Sequence, residues 1–364
     1  MISLRTAVVA RTLYLLRLHL NGEVTELPAG PGHRARTVLR VPVLTAAGGT
    51  AFVVIKFAIA PGEAAERSLE WEHEVTLALY EIARHQVKQG ALPYNPIPEP
   101  LAERLLRYHL VDRFVPGAGG PVRVVVSARH FVEPSGTPFT ARALGRLIAH
   151  QHVLGATDQA LRLLATRPTN LLCGLDARRF AQALSLPGHP FQARTTTVRA
   201  LLTALRERAV QAVEAGPEPL LVHRDMHPLN CVPGPAGPVS LDWAEAGWGG
   251  RADDFAWLHL AVARHGAPAR VLDQALAGYA EVLPGRAPTP EQVRATGRLR
   301  ELVCLAFSVM HADRSPAHLH EALRELPVLA DPDAPTPRWS ALYNPEIFEH
   351  PLFAPSTQGG RKAS

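Results

Sequence analysis

The sequence predicts an α+β fold in two unequal parts, on three observations. Strand-like runs crowd into the first 134 residues, around one long helical segment. From residue 135 onward the longer periodic segments are helical. At 364 residues the chain can bury a substantial core in two parts without strain. The expected division is 1–134, a β-sheet with a helix; 135–345, mainly helical; and a flexible tail, 346–364.

Taken in order, residues 12–20 and 37–44 read as strands, and Pro42 suits an edge position. Ala46 to Thr50 is a hairpin turn leading into the β-rich run Ala51 to Phe57, which Lys56 ends. Between the early strands, Leu27 to Arg36 contains Gly30 and Gly32 with basic neighbours. Backbone amides there suit phosphate, although the pattern is not G-x-G-x-x-G and a plain flexible loop reads equally well. Gly62 to about His85 has a helical period, with Trp71, Val75, Ala78, Leu79 and Ile82 on one face. Glu72 and Glu74 flank opposite edges of that stripe. Residues 86–121 are rich in Pro and Gly and read as a connection. Val122 to Val132 reads as a strand running into Glu133-Pro-Ser-Gly136.

In the second part, Thr140 to Leu154 is a helix with Leu144, Leu147, Ile148 and His152 on one side. His150 and His152, two apart, do not face one site, so packing explains them better than a metal does. Residues 155–218 hold helical segments at Phe180–Leu184 and Thr197–Val213 but no legible motif. A helix starting at Asp253 or Asp254 runs through Ala263, with a carboxylate suited to its N-terminus. Further amphipathic helices are expected at about 270–282, 290–312 and 317–325. Residues 327–364 are Pro-rich, and the last ten are expected to be disordered.

Composition narrows the function. The chain is 47% hydrophobic and 20% charged, which reads as soluble and globular, and no apolar run reaches the roughly 18–20 residues of a membrane span. Arg11 and Arg17 interrupt the most apolar early stretch, which lacks a cleavage site and is not read as a signal peptide. Cys173, Cys231 and Cys304, odd in number and widely spaced, argue against a disulfide framework or a zinc site; a cytoplasmic location is the default. Net charge is +5, and only three of the 38 basic residues are lysines, Lys56, Lys88 and Lys362. A basic surface favours anionic or neutral partners. No aromatic-interleaved basic stretch supports nucleic-acid binding.

The chemistry concentrates in Pro219-Leu-Leu-Val-His223-Arg-Asp225-Met-His227-Pro-Leu-Asn230-Cys, followed by Val239-Ser-Leu-Asp242-Trp243. An apolar run ends in His-x-Asp, an Asn follows five residues after the Asp, and a second apolar run delivers another Asp. Phosphoryl transfer uses such groups: one carboxylate for the acceptor hydroxyl, an Asn and a carboxylate for Mg²⁺.

The string resembles the aminoglycoside phosphotransferase and choline kinase branch of the protein-kinase-like fold, whose loop reads H-G-D-x-H-P-x-N. His223, Asp225, His227, Pro228 and Asn230 fall in register. Leu241-Asp242-Trp243 matches the branch's I-D-W, and Asp254-Phe255-Ala256 its D-L-A helix start. Arg224 departs from the usual Gly and matches the H-R-D of protein kinases. The resemblance implies a bilobal enzyme with ATP and Mg²⁺ as cofactors, in which 1–134 binds nucleotide and 135–345 carries the catalytic loop, metal site and acceptor site. Asp225 is then the catalytic base or hydroxyl positioner, His223 and Arg224 its loop partners, and Asn230 and Asp242 the metal ligands. Lys56 anchors phosphates, paired with Glu72 in preference to Glu74. Gly30 and Gly32 cover the nucleotide, and the strand-to-loop junction at Phe131 and Glu133 binds adenine. Similar proteins phosphorylate aminoglycosides, choline or other small alcohols, or act on Ser/Thr of precursor peptides in lanthipeptide-like pathways. The basic charge favours a peptide with an acidic leader, with a partner enzyme such as a lyase. A small-molecule alcohol or antibiotic acceptor and a non-catalytic pseudokinase scaffold are the alternatives.

Overall fold

A computed structural model describes residues 3–27, 37–111, 120–166, 187–192, 220–313, 315–325 and 345–354, with a few single positions between 182 and 203. The chain divides into two compact units. The first is Met1–Gly136 with Val232–Ala244; the second is Thr137–Cys231 with Glu245–Ser364. Residues 232–244, expected in the second part, group with the first because Ser240 donates its amide to the Pro96 carbonyl at 3.0 Å. Gly237 also lies so close to Tyr94 that an added Cβ would sit 2.6 Å from its ring.

The first unit is built on a five-stranded antiparallel sheet. Its strands are β1 (Thr25–Leu27), β2 (Thr37–Leu44), β3 (Thr50–Ile59), β4 (Leu106–Leu110) and β5 (Val122–His130), in the order β1-β2-β3-β5-β4. Strand alternation divides its residues between two faces. Val53, Ile55 and Phe57 pack with Val124, Val126 and the first helix, α1 (Leu4–Leu16). The intervening Lys56 is thereby turned to the opposite face, where it meets α2 (Glu63–Lys88).

Four sequence expectations change here. Residues 12–20 are not a strand: Ser3 caps α1 by accepting the Thr6 amide, and Val8, Val9, Thr12 and Leu13 bury one helical face. Pro42 is not on an edge strand, since β2 lies between β1 and β3. It is tolerated because β1 pairs only with Val38–Arg40, and beyond it the contact at Pro42 is the Asn21 amide donating to its carbonyl at 3.0 Å, which needs no proline N–H. The 86–121 connection contains β4, whose Tyr108 and Leu110 alternate with Arg107 and His109 over a run too short to stand out. Lys56 lies three residues before the end of β3.

The second unit begins with α3 (Ala141–Gly155) and α4 (Asp158–Ala165). Its strands β6 (Leu220–Val222) and β9 (Gly247–Gly249) are separated in sequence by β7 (Cys231–Pro233) and β8 (Pro238–Ser240), which fall almost wholly in the first unit. Helices then return as α5 (Ala256–His265), α6 (Arg270–Val282), α7 (Pro290–Met310), α8 (Pro316–Glu325) and α9 (Pro345–Glu349). Glycine lets α3 and α6 touch backbone to backbone: a Cβ at Gly145 would lie 1.8 Å from the Ala275 carbonyl, and one at Gly278 2.1 Å from that of Arg142. The core joins Leu144, Leu147 and Ile148 to Phe255, Leu258, Val271 and Tyr279. Residues 346–354, expected in the flexible tail, are ordered by burial of Ile347 and Phe353 in this core. Most of 155–218, including the expected helices at 180–184 and 197–213, lies outside the described residues. Among the described residues no helix is long and apolar enough to cross a membrane.

His150 is buried in α3, and burial, aided by Arg146, pushes its imidazole down to about 4. The unfolded chain takes up that proton near 6.5, so the contribution of neutral His150 is intact above pH 6.5. It is lost as pH falls from 6.5 towards 4, a swing of about 3 kcal/mol. Urea melts of the wild type and of His150→Leu should diverge across this window, with the Leu variant losing less stability on acidification.

Candidate active site

In the first unit the polar centre is Lys56, which is buried. Its Nζ donates to Glu72 Oε2 at 2.7 Å and to Asp242 Oδ1 at 3.0 Å. Glu72 reaches it because α2 turns that residue inward, beside Trp71 and Val75; Glu74 is exposed and Glu70 is bound by Arg107. Asp242 arrives from the β8 side in a left-handed conformation, φ 58°. Non-glycine residues adopt this region at a cost, and it aims the carboxylate where a strand would not. Trp243 anchors the turn, buried and donating its indole N–H to Ser240 Oγ at 3.2 Å.

Phe131 and Glu133 follow β5. The Phe131 amide is taken by the Phe52 carbonyl at 3.0 Å, and Glu133 accepts from Arg40 at 3.2 Å. Arg40 in turn stacks on Phe52 and Phe131, 3.7 and 4.5 Å from the ring centroids. Any adenine contact at this junction therefore falls to backbone groups other than the Phe131 amide. Gly30 and Gly32 lie outside the described residues.

In the second unit β6 delivers His223, Arg224 and Asp225 into a loop held by one buried carboxylate. Asp254 accepts the His223 amide at 3.1 Å through Oδ2 and the Arg224 amide at 2.6 Å through Oδ1. His152 of α3 bonds the same carboxylate at 3.0 Å and Tyr279 at 2.9 Å through its other nitrogen. Burial pushes the Asp254 carboxyl up, but the bond and charge of His152, with His223 and the Arg224 amide, bring it below its ordinary value. The helix expected to start at Asp253 or Asp254 begins there as a 3-10 turn, Asp253–Phe255, that runs directly into α5; no side-chain cap bond forms, because Asp254 spends both oxygens on the loop amides. His152, expected as packing, is buried and is also a hydrogen-bonded brace.

Arg224 sits at φ 67°, where the usual Gly costs nothing. Its side chain compensates by donating to the Trp248 carbonyl of β9. Gly247 leaves room for it, since a Cβ there would lie 2.8 Å from Arg224 Nη1. His223 is fully buried and its Nδ1 takes the Asp225 amide at 3.3 Å.

Asp225 projects from this loop with its side chain about one-fifth exposed. Oδ1 accepts from Trp257 Nε1 and from Arg300 Nη2, each at 2.8 Å. Oδ2 accepts from Asn230 Nδ2 at 3.1 Å and lies 3.6 Å from His227 Nε2. Burial acts to raise this carboxyl, but the His227, Arg300 and His223 charges outweigh it and hold it well below the carboxylate range. Asn230 also donates Nδ2 to the Asp225 carbonyl at 2.8 Å, which turns its side-chain oxygen away from Asp225. Buried Cys231 packs against Met226 and His227, and burial pushes its thiol up, so it is a packing residue.

The sequence model of the phosphotransferase enzyme family matches residues 28–295. This chain belongs to that family. The phosphotransferase shares its kinase-like fold with an amicoumacin kinase in complex with AMP-PNP, Ca²⁺ and Ami. The TM-score is 0.55 at 14% identity, covering 91% of this chain and 95% of that one. A microcompartment-associated aminopropanol kinase gives 0.54 at 16% identity, covering 89% and 94%. At such identities the likeness carries the fold. No curated protein matches the chain.

Sequence reading of the phosphotransferase did not find Arg300, Trp257 or the bracing role of His152. Arg300 follows Asp225 by 75 residues and has no motif around it. Trp257 stands immediately after the Asp254-Phe255-Ala256 match, and only that position could have flagged it.

Proposed function

We propose that this phosphotransferase moves the γ-phosphoryl group of ATP to a hydroxyl of a small molecule. The observation that carries the reading is the Lys56 ammonium, buried and ion-paired to both Glu72 and Asp242. A kinase needs its phosphate-anchoring Lys fixed by a helix Glu, with a metal-binding Asp at hand. Nothing in a purely structural role demands that a chain with three lysines place one there.

In this reading Lys56 takes ATP phosphate oxygens. Asn230 and Asp242 each offer a hard oxygen ligand of the kind Mg²⁺ takes, and the two bonds from Asn230 Nδ2 leave its carbonyl oxygen as the ligand atom. Bound Mg²⁺ supplies charge neutralisation on the transferring phosphoryl group. Asp225 receives the acceptor O–H at Oδ2. A carboxylate held this acidic is a weak base, so its contribution is orientation. The bond from the γ-phosphorus to its bridging oxygen breaks as the bond to the acceptor oxygen forms. ADP leaves with the bridging oxygen, and the acceptor proton departs late, as a loose transition state permits, by way of Asp225 Oδ2 to solvent.

The small-molecule acceptor is supported by the two kinases of the same fold, whose names carry amicoumacin and aminopropanol. A precursor-peptide acceptor has only the basic composition in its favour. The deciding experiment incubates purified protein and Mg-ATP with amino alcohols, aminoglycosides and a Ser/Thr peptide bearing an acidic leader. ADP release and acceptor mass gain are followed together. Phosphorylation of an amino alcohol or aminoglycoside is the expected result. Transfer to the peptide alone would replace the acceptor assignment, and ATP binding without transfer to any acceptor or to water would indicate a scaffold.

A further inference from the structure

We propose that Arg300, with Trp257, is the positioning residue that decides which oxygen of Asp225 meets the acceptor. The inference rests on the reading of Asp225 as the group that receives the acceptor hydroxyl. Each carboxylate oxygen offers about two acceptor directions. Both at Oδ1 are filled, by Trp257 Nε1 and Arg300 Nη2 at 2.8 Å each. At Oδ2 one is filled by Asn230, and the other faces His227 Nε2 across an ion-pair contact of 3.6 Å, longer than a direct hydrogen bond. Among the described residues this makes Oδ2 the oxygen with a direction that no direct hydrogen bond takes, and so the one an incoming O–H can use.

Arg300 is built to hold that geometry. Its Nη2 has two hydrogens, and the second goes to the Arg224 carbonyl at 2.8 Å, so one nitrogen ties the loop backbone to the Asp225 side chain. The guanidinium lies 5.0 Å from the Trp257 ring centroid, a cation–π contact that orients both donors. The carrier helix α7 is fixed one turn earlier. There Thr296 Oγ1 donates to the Ala252 carbonyl at 3.1 Å, and a Cβ at Gly297 would lie 2.2 Å from His259. Residues 296, 297 and 300 share one helical face, so these contacts set the angle at which Arg300 enters. A lysine ammonium could donate twice from one nitrogen but has no planar guanidinium to stack on Trp257 and fix the direction of those bonds.

The test uses the full-length protein and Mg-ATP with water as acceptor, reading phosphate release, and separately measures ATP binding with a fluorescent ATP analogue. Arg300→Met should lower kcat by about 100-fold, the size expected when a reacting group loses its alignment, and leave ATP affinity within about twofold. Added methylguanidine should recover part of the activity of Arg300→Ala. Trp257→Phe should lose about fivefold in kcat, consistent with one donor. In the Asp225→Asn background Arg300→Met should cost nothing further. Undiminished kcat in Arg300→Met, or a full additional loss in the Asp225→Asn background, overturns the proposal. If Arg300→Met does not fold by circular dichroism, Trp257→Phe decides, and full kcat there overturns it. Asp225→Asn with full turnover would instead sink the underlying reading of Asp225, which separates the two failures.

Discussion

Asp225→Asn is expected to reduce phosphoryl transfer by about 10³-fold in kcat while ATP affinity changes by no more than about twofold. The substitution keeps the size of the side chain and removes its charge. The amide oxygen can still accept from both Trp257 and Arg300, but the NH₂ group then stands at Oδ2 and cannot accept the acceptor hydroxyl. The amide nitrogen also faces donors: Asn230 Nδ2 at 3.1 Å on one side, or Trp257 and Arg300 at 2.8 Å on the other. The loop backbone should survive, because Asp254 holds the His223 and Arg224 amides independently of Asp225. A stability loss of about 1–3 kcal/mol is expected, since Arg300 is left buried without its carboxylate. Single-turnover kinetics with Mg-ATP measure the effect. A variant with wild-type turnover would remove Asp225 from the chemistry.

Lys56→Met should act on both stability and activity. Lys56 and Glu72 have side chains only 8% and 4% exposed, and Met removes the ammonium that neutralises the buried Glu72 carboxylate. Breaking a buried pair from one side costs about 3 kcal/mol, which a urea melt resolves. Activity should fall by about 10²–10³-fold, with a rise in KM for ATP that Asp225→Asn does not show. Lys56→Arg should not restore it, because the guanidinium is larger and planar where a compact ammonium sits 2.7 Å from one carboxylate and 3.0 Å from another. The double variant Lys56→Met with Glu72→Leu should regain stability without regaining activity. That pattern separates the structural cost of the broken pair from the loss of a phosphate ligand.

Much of the architecture was legible because period and spacing are local properties. The β2–β3 hairpin, β5, α2, α3 and the helices from 256 to 325 follow from alternation or helical stripes within single segments. The failures have local causes too. In α1, valines and leucines close together mimic strand alternation, and the Ser3 cap is a single residue. β4 is five residues of mixed polarity, and its neighbour β5 supplies the pairing that makes it a strand. Tail residues Ile347 and Phe353 carry no signal until the core they enter is present.

By itself the sequence determined the chemical inventory: one rare lysine on a buried strand, a glutamate on the inward edge of a helix, and a loop carrying Asp225 and Asn230 with Asp242 after it. Those are properties of residue type and spacing. Tertiary structure decided how the inventory is held. Asp254, 29 residues beyond Asp225, clamps the loop amides; His152 of α3 bonds Asp254, and Tyr279 of α6 holds His152. Arg300 and Trp257 fill one oxygen of Asp225 from helices of their own. The reason is physical. A hydrogen bond between residues 30 to 100 positions apart depends on where packed helices cross, and such crossings are set by contacts like Gly145 on Ala275 that leave no periodic trace in the chain.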